Sequence, residues 1–283
     1  MRVGELYKEF LIALETVYEK QEAISISNWV FENQLNYSRG ELLIEKNSEI
    51  SEEKELNIIR IQNRLLTNEP IQYVLEEAWF YKEKFFVNKN VLIPRPETEE
   101  LISWILEVSI NLEEGDILDI GTGSGCISVM LSKYLPKSKV VAIDVSEESL
   151  AVAKINCKEL KGNVNFKKLD FLSRDNWPAL SIYNLIVSNP PYILLKEKNK
   201  LKANVTEFEP SIALFVPDND PYIFYRKLLE FSKEHLITGG SIFVEVHEDH
   251  GEEIKKMFID WGLKNVEIRK DIHGRQRMVK GTK

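Results

Sequence analysis

Two short segments carry residue types whose spacing could do chemistry. The sharper is Ser188-Asn189-Pro190-Pro191-Tyr192, which follows an apolar run at 183–187. Two prolines after an apolar strand remove ladder donors and fix the backbone, so the segment reads as a rigid loop. That loop suits an NH2 target. A planar amide or exocyclic amine is a poor nucleophile because its lone pair is delocalised. It attacks an electrophile such as a sulfonium methyl only when its hydrogens are held so that the lone pair points there. The Asn189 side-chain oxygen and the Pro190 carbonyl are two acceptors at suitable spacing, and neither has to ionise. Tyr192 offers a ring to stack on a planar target and to face a cationic sulfur. Orientation of this kind can supply much of a barrier reduction.

The second segment is Asp119-Ile120-Gly121-Thr122-Gly123-Ser124-Gly125. Three glycines in five residues let the backbone turn sharply and approach a ligand that a Cβ would push away. The helix expected after it points free N–H groups at whatever sits there. A dinucleotide fingerprint needs its third glycine at 126, where this chain has Cys126, so a nicotinamide cofactor is disfavoured. A carboxylate, such as that of a methionine moiety, fits better. Asp144, at the next strand end, can accept both hydroxyls of a ribose, or it can serve the helix start at Ser146. Asp170-Phe171 could hold an adenine, or be a loop acid beside a core ring.

These residues need a frame that brings strand ends together. Runs at 117–120, 139–143, 164–168, 183–187 and 241–246 read as strands, with helical patterns between most of them, such as 146–160 and 222–236. Alternation of that kind predicts a largely parallel sheet covered by helices on both faces, with ligands at the carboxyl ends of its strands. Residues 1–70 read as a small helical unit, with a break at Ser38-Arg39-Gly40 and an N-cap at Ser51. The aromatic and β-branched stretch 73–93 suggests a hairpin, and a helix is expected from Glu97 to about Ile110.

Composition limits the rest. The 283 residues are 43% hydrophobic and carry a net charge of −8, which argues against a sequence-independent grip on nucleic acid and suits a basic partner. No apolar run is long enough to cross a bilayer, and the N-terminus has no signal core, so a cytoplasmic protein is expected. Cys126 and Cys157 give neither a disulfide framework nor a Cys-x-x-Cys metal pair. His247-Glu248-Asp249-His250 lacks a third ligand and reads as a solvated helix start, and Cys126 as a buried small residue. Glu97 and Glu99 open a helix, where the dipole favours acids. Lys196-Glu197-Lys198-Asn199-Lys200 reads as a mobile charged loop.

With these motifs the chain resembles the peptide chain release factor glutamine N(5)-methyltransferases, within the S-adenosylmethionine-dependent class. The discriminating segments are Pro70-Ile71-Gln72-Tyr73-Val74-Leu75, Val91-Leu92-Ile93-Pro94-Arg95-Pro96-Glu97-Thr98-Glu99 and Glu209-Pro210-Ser211-Ile212-Ala213-Leu214, with the tail Lys270-Asp271-Ile272-His273-Gly274-Arg275-Gln276-Arg277. The resemblance implies a seven-stranded, mostly parallel Rossmann-like α/β sheet over 97–283, preceded by a helical docking domain at 1–70 and a hairpin linker at 71–96. It implies S-adenosylmethionine contacts at Gly121, Thr122, Gly123, Ser124, Gly125, Asp144, Phe171 and Asn189, with S-adenosylhomocysteine as product and no metal. It implies that Asn189, Pro190, Pro191 and Tyr192 place the substrate, the glutamine of the Gly-Gly-Gln loop of class I release factors, with Asn189, Pro190 and Tyr192 carrying the catalysis. Membrane and nucleic acid are not expected partners, although adenine and cytosine amino-methyltransferases use similar Asn-Pro-Pro-Tyr loops. One departure is Val216-Pro217-Asp218-Asn219-Asp220-Pro221, where many members have a glycine-rich turn.

Overall fold

A computed structural model describes residues 1–108 and 114–283. The chain forms two compact units: Met1–Glu77 with Lys202–Phe208, and Ala78–Leu201 with Glu209–Lys283.

The first unit is helical: α1 (Val3–Leu14), α2 (Lys20–Leu35), α3 (Arg39–Ile44), α4 (Glu52–Leu65), the single turn α5 (Ile71–Val74) and the distant α9 (Ala203–Phe208). Its core sets Phe10 and Phe31 edge to face, with Leu14, Val30, Ile58 and Leu65 buried around them. The helix α2 stops at Asn36, whose left-handed φ of 57° caps it. The break therefore falls just before Ser38, which caps α3 through Glu41 N, and Gly40 lies inside that helix. Ser51 caps α4 as its sequence suggests, accepting from Lys54 N. Tyr73 and Val74 belong to the turn after Pro70, not to the hairpin. Proline is favoured at a helix start because its missing N–H would go unpaired there anyway.

The second unit opens with a hairpin, β1 (Glu77–Phe80) and β2 (Glu83–Phe86), shorter than the 73–93 stretch. Tyr81 and Lys82 turn it with positive φ at both positions, the geometry that matches strand twist. Then follow α6 (Pro96–Val108), β3 (Asp116–Ile120), α7 (Cys126–Tyr134), β4 (Lys139–Asp144), α8 (Glu147–Glu159), β5 (Val164–Lys168), β6 (Tyr183–Ser188), β7 (Ile193–Leu194), α10 (Ser211–Leu214), β8 (Phe215–Val216), α11 (Ile223–His235), β9 (Leu236–Glu245), α12 (Gly251–Asp260), β10 (Lys264–Lys270) and β11 (Gln276–Thr282). The expected end of α6 near Ile110 lies outside the described residues. Residues 196–200, expected as a mobile charged loop, lie in a short 3₁₀ helix, Leu195–Lys200.

Seven strands make one sheet in the order β10-β11-β9-β6-β3-β4-β5, with only β11 antiparallel to its neighbours' common direction. Side chains alternate across it. Leu118, Ile186, Ile242 and Val244 face Leu228, Phe231, Ile254 and Phe258 of α11 and α12. Ile117, Leu185, Val187 and Phe243 face Leu101, Trp104, Val129 and Met130 of α6 and α7. Burial on both faces is why these strands are near-continuous Val, Ile and Leu. Strand order reverses between β3 and β6, so the ends of those two strands open a crevice.

Candidate active site

A cleft of about 320 Å³ lies at those strand ends, a size ordinary for small-molecule sites. Gly121 and Gly123, Asp144, Phe171 and the turn Asn189-Pro190-Pro191 all line it, as do Asn90, Val91, Leu92, Pro210 and Ile212. The sheet thus gathers residues that are up to 134 positions apart, from Asn90 to Phe224.

The glycine loop divides its labour. Gly121 and Gly123 have φ of 74° and 54°, and a Cβ on either would meet nothing within 4 Å, so both leave open cradle toward the cleft. Gly125, at φ 80°, serves packing: its added Cβ would come within 3.0 Å of Ala153 on α8. Thr122 and Ser124 are buried and absent from the cleft wall. Thr122 Oγ1 donates to Asp119 Oδ2 at 2.6 Å, and the Ser124 carbonyl accepts from Asn156 at 2.9 Å. Cys126 is partly buried, and burial pushes its thiol up to about 12.

Asp144 accepts from Gly123 N on one oxygen and from Ser146 N on the other, each at 2.9 Å. Ser146, not Asp144, caps α8. Each Asp144 oxygen keeps a further lone pair, and burial raises its carboxyl above the ordinary range. Phe171 is committed to the core, stacked on Trp177 at 5.7 Å and edge-on to Phe231 at 5.4 Å, while contributing to the cleft wall. Asp170 lines the cleft beside it and accepts from Leu172 N.

The turn after β6 is anchored on both sides. Ser188 Oγ donates to the Ile120 carbonyl at 2.7 Å, joining the two strand ends. Asn189 Nδ2 donates to Thr98 Oγ1 at 3.1 Å, Thr98 Oγ1 donates to Glu245 Oε2 at 2.6 Å, and Tyr192 OH donates to Glu245 Oε1 at 3.2 Å. Glu245 is 1% exposed, and burial pushes its carboxyl up to about 7. Tyr192 sits behind the turn, tied to Glu245 and set edge-on to His247 at 6.0 Å, and is not part of the cleft wall. Burial, reinforced by Glu245, raises its hydroxyl well above the ordinary tyrosine value.

Sequence reasoning named Asp119 and Thr98 within larger segments without giving either a role, and missed Glu245 and Asn156. Thr98 stands between two acids at the start of α6, and Glu245 ends a strand beside the crevice, which is the one signal either offered. Among the described residues, no three His, Cys, Asp or Glu are grouped to hold a metal ion, and no helix is long and apolar enough to cross a membrane.

Comparison with known proteins decides the family. Residues 98–208 match the methyltransferase small domain and residues 5–75 the PrmC N-terminal domain. The release factor glutamine methyltransferase of Flavobacterium psychrophilum is 37% identical over 283 residues, 99% of each chain. The enzyme of the same name from Bacteroides thetaiotaomicron is 40% identical over 94% of this chain and 95% of its own. The chain belongs to the release factor glutamine methyltransferase family. Solved structures agree on the fold of this family member. The hMettl16 catalytic domain superposes with a TM-score of 0.55 at 14% identity over 82% of each chain. A methyltransferase from Pyrococcus furiosus gives 0.50 at 20% identity, over 79% of this chain and 98% of its own.

Proposed function

We propose that this methyltransferase uses S-adenosylmethionine to methylate the side-chain amide nitrogen of the glutamine in the Gly-Gly-Gln loop of class I peptide chain release factors. The observation that carries the reading is the Asn189-Pro190 turn, fixed by Ser188 and Thr98 in the wall of a cleft whose other wall is Gly121, Gly123 and Asp144.

The cleft suits the methyl donor. The open cradle at Gly121 and Gly123 accepts a backbone-sized amino-acid group, with the rest of the loop through Gly125 shaping it. Asp144 has lone pairs for two ribose hydroxyls, and Phe171 offers an apolar wall to an adenine. When bound, S-adenosylmethionine supplies an electrophilic methyl on a sulfonium.

The chain's own residues then do the orienting. Asn189 Oδ1 and the Pro190 carbonyl accept the two hydrogens of the glutamine NH2, and Pro191 keeps the turn stiff. The amide nitrogen is left with its lone pair directed into the cleft. Tyr192, tied to Glu245 and outside the cleft wall, supports the turn from behind and does not pack on the amide. A nitrogen that has gained a methyl is strongly acidic, so its proton passes to water without a dedicated base.

The helical unit is the docking element of this proposal. Residues 1–77 carry 8 Lys and Arg against 15 Asp and Glu, so most of the chain's net charge of −8 resides there. That excess favours a basic protein surface and opposes nucleic acid.

The test is to incubate the purified chain with S-adenosylmethionine and unmodified release factor, then map the methyl by peptide mass spectrometry. One methyl on the Gly-Gly-Gln glutamine is expected. Methyl found in DNA or RNA and none in release factor overturns the reading.

A further inference from the structure

We propose that Glu245 is a positioning residue for transfer: acting through Thr98, it sets which way round the Asn189 amide sits, so that oxygen and not NH2 meets the target. This rests on reading Asn189 as an acceptor for the substrate amide.

The logic is a count of protons. A threonine hydroxyl has one proton to give, and a carboxylate has none. With Thr98 Oγ1 at 2.6 Å from Glu245 Oε2, the hydroxyl proton is committed to the carboxylate. Only lone pairs of Thr98 Oγ1 remain for Asn189, so the group set against it at 3.1 Å has to be the NH2. The reversed amide would put two acceptors face to face and leave the Asn189 oxygen without a donor, costing about 1–3 kcal/mol. Asn189 Oδ1 is therefore turned away from Thr98, and the hydrogen-bond polarity of the turn is fixed before substrate arrives.

Glu245 also accepts from Tyr192 OH on its other oxygen, and its backbone carbonyl accepts from Tyr225 OH at 3.0 Å. A glutamine would fill the same space with less desolvation cost, but it has one acceptor oxygen, so either Thr98 or Tyr192 would face its NH2 group instead of an acceptor. The second acceptor is what a carboxylate adds. The groups facing it are Thr98 and Glu97 on α6, Cys126 on α7, Tyr192 in the turn, Tyr225 on α11 and Arg277 on β11. Arg277 holds its pKa down and Glu97 pushes it up, against a larger rise from burial that leaves it at about 7. A protonated Glu245 becomes a donor, and the relay can then reverse.

The experiment compares wild type, Glu245→Gln, Thr98→Val and Thr98→Ser with unmodified release factor at saturating S-adenosylmethionine. Glu245→Gln and Thr98→Val are expected to lower kcat at least about tenfold, with KM for release factor within about threefold. Thr98→Ser, which keeps the hydroxyl, should stay within about threefold of wild type, and the Val/Gln double variant should be no slower than the slower single one. The wild-type rate should fall as pH drops through about 7, and Glu245→Gln should lose that acid limb.

A second readout needs no turnover. The Asn189 side-chain NH2 resonances, assigned by their loss in Asn189→Asp, should shift in Glu245→Gln and Thr98→Val but not in Thr98→Ser. Thermal melting and calorimetric binding of S-adenosylmethionine confirm that each variant is folded. A Glu245→Gln enzyme within about threefold of wild type with its acid limb intact, or unmoved Asn189 resonances, overturns the inference. If the wild type itself methylates no release factor, the substrate reading fails and the resonances alone judge Glu245.

Discussion

Asn156 and Phe86 exchange two hydrogen bonds: the Asn156 oxygen accepts from Phe86 N at 2.6 Å, and its NH2 donates to the Phe86 carbonyl at 2.9 Å. The same NH2 reaches the Ser124 carbonyl at 2.9 Å. One side chain on α8 therefore ties the end of the hairpin to the glycine loop. Two turns further toward the N-terminus of that helix, Ser149 Oγ donates to the carbonyl of Asn90, a residue of the cleft wall.

Asn156→Ala is expected to leave three backbone groups without their partner. The cost should be about 2–4 kcal/mol of unfolding free energy, read from urea denaturation, because unpaired buried polar groups are destabilising. Affinity for S-adenosylmethionine should fall as well, since the Ser124 anchor is lost. An unchanged denaturation midpoint would show that water replaces the amide at no cost.

The two glycines that flank Ser124 should respond differently to alanine. Gly123→Ala places a methyl in open cleft, so it should weaken binding of S-adenosylmethionine at least about tenfold while costing about 1 kcal/mol in stability from its positive φ. Gly125→Ala meets Ala153 at 3.0 Å and should cost about 1–3 kcal/mol, with a smaller direct effect on the ligand. Calorimetry and melting curves on both variants separate the two roles.

Asp119 gives a pH signature. Thr122 Oγ1 and Ser128 N both donate to its Oδ2, its Oδ1 is buried without a partner among the described residues, and burial pushes its carboxyl up to about 6. A folded pKa above the ordinary 3.8 means that the folded state holds the proton more tightly. The resulting stability is present at low pH and lost as pH rises through about 6. Asp119→Asn keeps one acceptor oxygen and removes the charge. It should raise Tm by about 2–4 °C at pH 8 and by about half as much at pH 5, with the gain vanishing below 3.8. A lower Tm at pH 8 than at pH 5, relative to wild type, would contradict this.

The sequence revealed most about what is local. Two prolines after an apolar strand announce the Asn189-Pro190 turn, and the glycine spacing announces the loop after β3, because both effects act within a few residues of backbone. The helix starts at Ser51 and Ser146 were legible for the same reason. The Thr98–Glu245 pair was not, since its members lie 147 positions apart and meet only when α6 crosses the end of β9. Asn156 looks like any polar residue on a helix until the hairpin packs on it. Five strands showed their apolar runs, whereas β10 and β11 were reached through resemblance: β10 is a charged, half-exposed edge, and β11, although largely buried between β10 and β9, offers only Met278-Val279 as an apolar run. The hairpin turn was hidden because Tyr81-Lys82 reaches positive φ without glycine or asparagine.

The central claim is that two neutral oxygens in a stiff turn orient the target NH2. The most direct measurement is the methyl-transfer rate of Asn189→Ala on unmodified release factor, beside calorimetric binding of S-adenosylmethionine to the same preparation. The account predicts a kcat lower by about 10²–10³-fold, comparable to losing a preorganised transition-state hydrogen bond, with cofactor affinity within about threefold of wild type. A near-normal rate with cofactor bound would contradict it.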